Sequence, residues 1–265
     1  MHPNNSFDLK NKALRLFIVL GAFFLCNALV AEFMGVKIFS LDDTLGTKPF
    51  VFHFFGQEIT GFSLTCGVLL WPFVFIMTDI INEYFGIKGV RFLSIVAAVM
   101  IAYSFVMLNL GMNVAPAGWW IHSSSYGDKL NFQEAYLAVF GQGNNIIIGS
   151  ILAFIIGQLL DVYVFHAIKK RTGDKYIWLR STGSTLFSQF IDSFVVLFYA
   201  FYFAKIGKLG QWSVPLVLAV GTVNYIYKFL MALLLTPLIY LAHAMIDKYL
   251  GPTLAKELKD KAHQN

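Results

Sequence analysis

"WPFVFIMTDIINEYFG", residues 71–86, decides which solvent this chain is built for. An apolar run ends in Asp79 and Glu83, four residues apart with Asn82 between them, a spacing that places both carboxylates on one face of a helix. In a soluble protein such acids mark where a helix emerges into water. The composition argues for a different setting. Of the 265 residues, 57% are hydrophobic, 17% aromatic and only 13% charged, about half the charged share usual for a soluble domain.

The stretch belongs to one of six apolar windows, residues 16–34, 64–85, 90–111, 146–167, 182–203 and 214–240. Each is close to the ~20 residues that cross a hydrocarbon core about 30 Å thick. The expected fold is an all-α polytopic membrane protein with six transmembrane helices. Residues 1–265 form a single domain without a linker rich in Pro, Gly or Ser. The first window is too long for the apolar core of a signal peptide, and Glu32 and Phe33 stand where a small-residue cleavage site is needed. It is expected to remain as a membrane helix.

The net charge of +5 is sorted by side. Fourteen Lys and Arg, among them Lys10, Lys88, Arg91, Lys170, Arg180 and Lys259, fall on the side of the termini. Five fall opposite, Lys37, Lys48, Lys129, Lys205 and Lys208, and Lys228 lies inside the last window. The positive-inside rule then puts both termini in the cytoplasm, and the basic surplus orients the chain in a bilayer rather than binding nucleic acid. Cys26 and Cys66 lie in apolar windows, where they are expected as small buried side chains. His53, His122, His166 and His243 are dispersed, with no two at ligand spacing, so no metal site or other cofactor is expected.

Two external loops carry patterns of their own. "FVFHFFGQEITGF" (50–62) alternates apolar residues around Gly56, Gln57 and Glu58, which fits a short hairpin lying over the bundle or an irregular interfacial loop. In the second loop Trp119 and Trp120 suit the headgroup layer. "NFQEAYLAVFGQG" (131–143) then places Phe132, Ala135, Tyr136, Val139 and Phe140 at helical spacing with Gly141 as terminator, predicting a short surface helix.

Four windows hold a polar pair three or four residues apart: Asp79 with Glu83, Gln158 with Asp161, Gln189 with Asp192, and Asn224 with Lys228. The fourth and fifth windows repeat one motif, Gly157-Gln158-x-x-Asp161 and Ser188-Gln189-x-x-Asp192. An ionised group at membrane depth costs about 2.5–3.5 kcal/mol even on lenient scales, and it faces the bundle interior or a watery cavity. Polar contacts between helices return only about 0.6–2 kcal/mol each, so helix adhesion alone is a weak reason to keep the charges. Asp79, Asp161 and Asp192 against Lys228 leave two negatives in excess. Either a carboxyl takes a proton or a cationic ligand balances it. Glu83 caps this site or pairs with Lys88 or Arg91, and Glu32 reads as a comparable helix-end charge on the outside.

In order and spacing these motifs resemble the queuosine precursor transporter family, within the vitamin uptake transporter group. "DIINEYFG" (79–86) looks like that family's Asp-x-x-x-Glu-x-x-Gly signature. "GQLLD" (157–161), "WLRSTGSTLFSQFIDS" (178–193) and Lys228 with Pro237 follow it, so the likeness runs roughly over residues 10–247. One departure is Asn144-Asn145, where the pattern leads one to expect an Arg opening the fourth span.

The resemblance implies a non-enzymatic importer of 7-deazaguanine bases, such as 7-cyano-7-deazaguanine and 7-aminomethyl-7-deazaguanine, in a bacterial inner membrane, serving tRNA modification. Such a base offers adjacent N–H donors to a carboxylate, a carbonyl to an amide and a flat ring to an aromatic side chain. Asp161 or Asp192 is then expected to accept from the base, with Gln158, Gln189 and Asn224 orienting it and Lys228 keeping a neighbouring carboxylate charged. Asp79, Asn82 and Glu83 are expected to form a gate or coupling group, with proton coupling following from the charge excess.

Two rivals stand beside this. A substrate-binding subunit of an energy-coupling vitamin importer often carries Ala-x-x-x-Ala on its first helix to dock an ATPase-bearing partner, and Ala22, Ala28 and Ala31 do not give that spacing. An intramembrane aspartyl protease using Asp161 and Asp192 needs two carboxyls sharing a proton, and the chain lacks the Gly-x-Gly-Asp arrangement expected there. The sequence leaves a homodimer open.

Overall fold

The computed structural model describes residues 10–122, 130–141, 144–172 and 177–264, most of them helical. Helix α1 (Lys12–Met34) starts where the Asn11 side chain accepts the amide protons of Ala13 and Leu14, and it ends at Gly35. Leu16, Leu20, Phe24, Ala28 and Glu32 are buried at every fourth position, the repeat that keeps one helix face toward a core. Val19, Phe23 and Val30 face outward.

Strand β1 (Ile38–Ser40), helix α2 (Leu41–Leu45) and strands β2 (Val51–Phe54), β3 (Gln57–Thr60) and β4 (Ser63–Thr65) form a small cap. β2 and β3 pair antiparallel through Val51↔Thr60 and His53↔Glu58, so the stretch 50–62 is a hairpin. Its turn residues Phe55 and Gly56 both have positive φ, 53° and 71°, the two-residue turn that matches the right-handed twist of paired strands. β1 and β4 pair as a second two-stranded sheet. Buried Asp42 ties the cap together by accepting the Phe62 amide at 2.6 Å. The sheets are an addition to the all-α expectation.

Helix α3 (Trp71–Asn113) has 43 residues, which as a straight rod would reach about 65 Å, twice the hydrocarbon thickness. It breaks at Gly86, where φ 69° and ψ −178° fall in a region that only glycine occupies readily. A Cβ at Gly89 would lie 3.6 Å from Cγ2 of Ile81, whereas residues eight apart in a continuous helix are about 12 Å apart along its axis. The helix therefore folds back into two arms. Phe17 meets Phe85 (ring centroids 4.9 Å apart) and Phe33 meets Phe105 (5.7 Å). The first arm thus runs antiparallel to α1 and the second parallel to it.

These arms correspond to the windows 64–85 and 90–111, with one correction. The first arm begins at Trp71, because Ser63–Thr65 pairs with β1 and Cys66–Leu69 forms a 3-10 turn. Pro72 then occupies the first helical turn, where its missing N–H removes no bond.

Helices α4 (Gly118–Ile121) and α5 (Phe132–Gly141) follow. The latter is the expected surface helix, held by Trp120 against Phe132 and Tyr136. Helices α6 (Asn144–Thr172) and α7 (Ile177–Leu197) form an antiparallel pair in which Gly149 faces the Val196 carbonyl and Gly157 that of Ser188. α7 continues through a π-helical turn, Phe198–Tyr202, and a 3-10 turn, Phe203–Lys205. Helix α8 (Val214–Leu250) is capped by the Ser213 side chain and runs through Pro237. Its 37 residues span about 55 Å, so its last turns project beyond a hydrocarbon core. Helix α9 (Pro252–Gln264), absent from the expected elements, packs Leu254, Ala255 and Leu258 into the core beside Ile246 and Leu250.

Among the described residues four helices are long and apolar enough to cross a membrane: Lys12–Met34, Trp71–Asn113, Leu186–Lys205 and Val214–Leu235, with Ile148–Gly157 a shorter apolar stretch. Their outer faces carry Ile95, Val99 and Leu234 at 65%, 60% and 69% exposure. Apolar surface on that scale is rare against water and normal against lipid. The chain is a multi-pass membrane protein built on helices.

Candidate functional site

The antiparallel packing of α7 on α8, with Phe194 against Gly221 and Phe190 edge-on to Tyr225, brings the fifth and sixth windows' polar residues together. Lys228 Nζ donates to Asp192 Oδ2 at 2.6 Å, and the two side chains are 14% and 22% exposed. At that depth each charge is compensated by the other, and removing either partner leaves an uncompensated buried charge.

The pair lies between two cavities. The one nearer the β cap encloses about 990 Å³ of space between atoms and is lined by Glu32, Ser150, Asp192, Ser193, Asn224 and Lys228 among others. The second encloses about 590 Å³ and brings Asp79 and Gln189 to Lys228 with Trp71, Phe75 and Ile239. Both volumes include space open to solvent and fall within the ~300–1,000 Å³ of small-molecule sites. Val68, Trp71 and Lys228 line both, so the cavities adjoin.

Asn224 lies one helical turn before Lys228, and its Oδ1 is buried without a hydrogen-bond partner among the described residues. Leaving a buried acceptor unpaired costs about 1–3 kcal/mol. Groups kept at that cost are candidates for a ligand contact. Gln189 is 3% exposed and faces the second cavity.

Asp79 joins this site, whereas Asn82 and Glu83, further along the same arm, line neither cavity. The backbone of Gln158 and Asp161 belongs to α6, but their side chains lie outside the described residues. The α6–α7 register, Gly149 with Val196 and Gly157 with Ser188, levels Asp161 with Ser184. That is about 12 Å along the bundle from Asp192, at 1.5 Å per residue.

At the Gly86 end the polar groups are saturated instead. Tyr84 Oη donates to Asp247 Oδ1 at 2.7 Å, and Lys259 Nζ donates to Oδ2 at 2.9 Å while lying 5.0 Å above the Tyr84 ring. His243 Nδ1 is 3.3 Å from the same hydroxyl. Burial pushes the Asp247 carboxyl up, but the bonds from Lys259 and Tyr84, with the charges of Lys259 and His243, reverse this and leave it below its ordinary value. Burial lowers the His243 imidazole, with the Lys259 charge adding to it against Glu83 and Asp247.

Three site residues carry little signal in the sequence. Glu32 reads there as a helix-end charge, although its place in the four-residue stripe of α1 puts it inside. Trp71 is one aromatic among many. Ser150, whose hydroxyl donates to Glu32 Oε1, carried no sequence signal.

The family model described as "Putative vitamin uptake transporter" matches residues 65–242, more than half of the chain. The chain belongs to the vitamin uptake transporter family. Within this family its relatives are queuosine precursor transporters, the group its motifs resemble. The "Probable queuosine precursor transporter" of Bacillus subtilis (strain 168) is 32% identical over 190 residues, covering 71% of this chain and 76% of the relative. The "Queuosine precursor transporter" of Escherichia coli (strain K12) is 27% identical over 177 residues, covering 66% and 71%. A "Probable queuosine precursor transporter" of Haemophilus influenzae is 28% identical over 178 residues, covering 66% of each chain. No solved structure matches the chain.

Proposed function

We propose that this vitamin uptake transporter imports queuosine precursors, 7-deazaguanine bases such as the 7-cyano and 7-aminomethyl compounds, across a bacterial inner membrane. The chain crosses the membrane six times, the two arms of α3 counting as separate spans, with both termini and the Gly86 end in the cytoplasm. The observation that carries this is the Lys228–Asp192 pair set between two adjoining cavities, with the orphaned Asn224 Oδ1 on the wall.

In this mechanism Lys228 holds Asp192 charged through Oδ2, and the carboxylate's other oxygen accepts N–H donors from the base. Asn224 and Gln189 orient the ring by its carbonyl and N–H groups, and Gln158 and Asp161 complete the site from α6. Trp71, which faces both cavities, offers a flat surface for stacking. Asp79, at the wall of the second cavity, and Asn82 and Glu83, further along the same arm toward the cytoplasm, are the gate or coupling groups. The helices rock about this layer to expose it alternately to either side, and a proton taken by one carboxyl couples the movement to a gradient.

A subunit that docks an ATPase-bearing partner through small residues of its first helix is less well supported. Ala28 and Ala31 are buried against this chain's own helices. The test is uptake of labelled precursor in cells lacking their own importer, at equal membrane expression. Asp192→Asn, Asp161→Asn and Lys228→Met are each expected to abolish uptake; wild-type uptake by all three removes the proposed site. A protonophore that leaves initial uptake unchanged removes the proton coupling alone.

A further inference from the structure

Glu32 extends the buried stripe of α1 that Leu16, Leu20, Phe24 and Ala28 begin, and it is 8% exposed. Its helix position therefore aims a carboxylate into the cavity that Asp192, Asn224 and Lys228 also line. Among the described residues its donor is the Ser150 hydroxyl, a neutral group that brings no compensating charge. The cation among the described residues of that cavity wall, Lys228, is engaged by Asp192.

Among the described lining residues of this cavity, α1 contributes Glu32, α6 contributes Ser150, α7 contributes Asp192 and α8 contributes Asn224 and Lys228; the 3-10 turn and β strands present no charge. With Lys228 and Asp192 cancelling, the ionised cavity carries one negative charge. It also carries a buried acceptor, Asn224 Oδ1, without a donor among the described residues. Both features are complementary to a ligand that donates hydrogen bonds, and the charge specifically to a cation.

We infer that Glu32 is the counter-ion for an ammonium group on the cargo, so that the chamber selects flat heterocycles bearing a protonated amine over neutral heterocycles with the same ring. This rests on the importer reading and adds the class of cargo preferred. A primary aliphatic amine resembles the Lys side chain, which titrates near 10.4, and is cationic at neutral pH. The 7-aminomethyl base therefore brings one positive charge, and the 7-cyano base brings none. With the neutral base Glu32 stays a lone buried charge or must take up a proton, and either weakens binding.

The experiment is equilibrium binding of the two bases to the purified chain in detergent at pH 7. The wild type is expected to bind the 7-aminomethyl base about 10-fold or more tighter, the scale of one hydrogen bond between charged groups. Glu32→Gln, nearly isosteric, is expected to bring the ratio to about one by weakening the amine, with the nitrile changing by less than about 3-fold. Glu32→Asp is expected to keep the preference for the amine.

Equal wild-type affinities overturn the inference without recourse to any variant, and so does a Glu32→Gln chain that loses both bases by the same factor. A wild type that binds neither base overturns the importer reading together with this one. Equal binding of both overturns this one alone.

Discussion

The two ends of the helical bundle treat their polar residues in opposite ways. At the Gly86 end both oxygens of Asp247 are bonded, Tyr84 is held by Asp247 and covered by Lys259, and α9 closes over the break in α3. Around Lys228 the helices instead leave two cavities, an acceptor without a donor and a buried carboxylate whose donor is a serine. The first region is arranged as structure, since its charges are matched within the chain. The second is unfinished in the way a binding site is, and in the proposed mechanism the ligand supplies the partners that the described residues do not.

Substitutions at the two ends should therefore separate stability from transport. The largest loss of stability is expected from Gly86→Ala. A side chain at φ 69° is strained by about 1–3 kcal/mol, and its Cβ would also lie 2.9 Å from the Ala262 carbonyl. Melting of the purified protein in detergent should drop steeply, and an unchanged melting temperature would mean that the sharp turn between the arms is not required. Tyr84→Phe loses a hydrogen bond to a charged acceptor, about 1.5–3 kcal/mol, without an added clash against backbone, while uptake at equal expression stays near wild type.

Asn224→Leu sharpens the contrast because its two readouts should move apart. Replacing a buried orphan acceptor with an apolar group of similar size should raise stability by about 1 kcal/mol, while uptake falls. A variant both less stable and fully active would place Asn224 with the structural groups.

The smallest effect is a pH dependence at the Gly86 end. His243 titrates below its ordinary 6.5 in the folded chain, so between its folded and unfolded values the unfolded chain binds more protons. Stability should then fall as pH drops through that window and recover as it rises. His243→Gln should remove that component from melting curves taken across the window.

Much of this architecture is legible in the sequence, for identifiable reasons. The break at Gly86 lies in the gap between two apolar windows, and the hairpin at 50–62 and the helix at 132–141 follow from local alternation and helical spacing. Asp192 and Lys228 are visible because charge within an apolar run is costly. Strands β1 and β4 are three residues each and pair across more than twenty positions, so no local pattern announces them. Helix α9 has a start signal in Pro252 and an apolar face in Leu254, Ala255 and Leu258, but its function as a clasp over Gly86 depends on a long-range contact. Glu32 shows how a position near a helix end misleads: distance along the chain suggests the interface, while the four-residue stripe puts the side chain inside.

In the proposed mechanism a flat heterocycle fills the space around Lys228 and Asp192. Equilibrium binding of 7-aminomethyl-7-deazaguanine to the purified chain measures this directly, with Asp192→Asn and Tyr84→Phe compared with wild type. Binding by wild type and Tyr84→Phe with equal affinity, and a loss of about 100-fold or more in Asp192→Asn, is the predicted result. An Asp192→Asn chain that binds as the wild type does would contradict it.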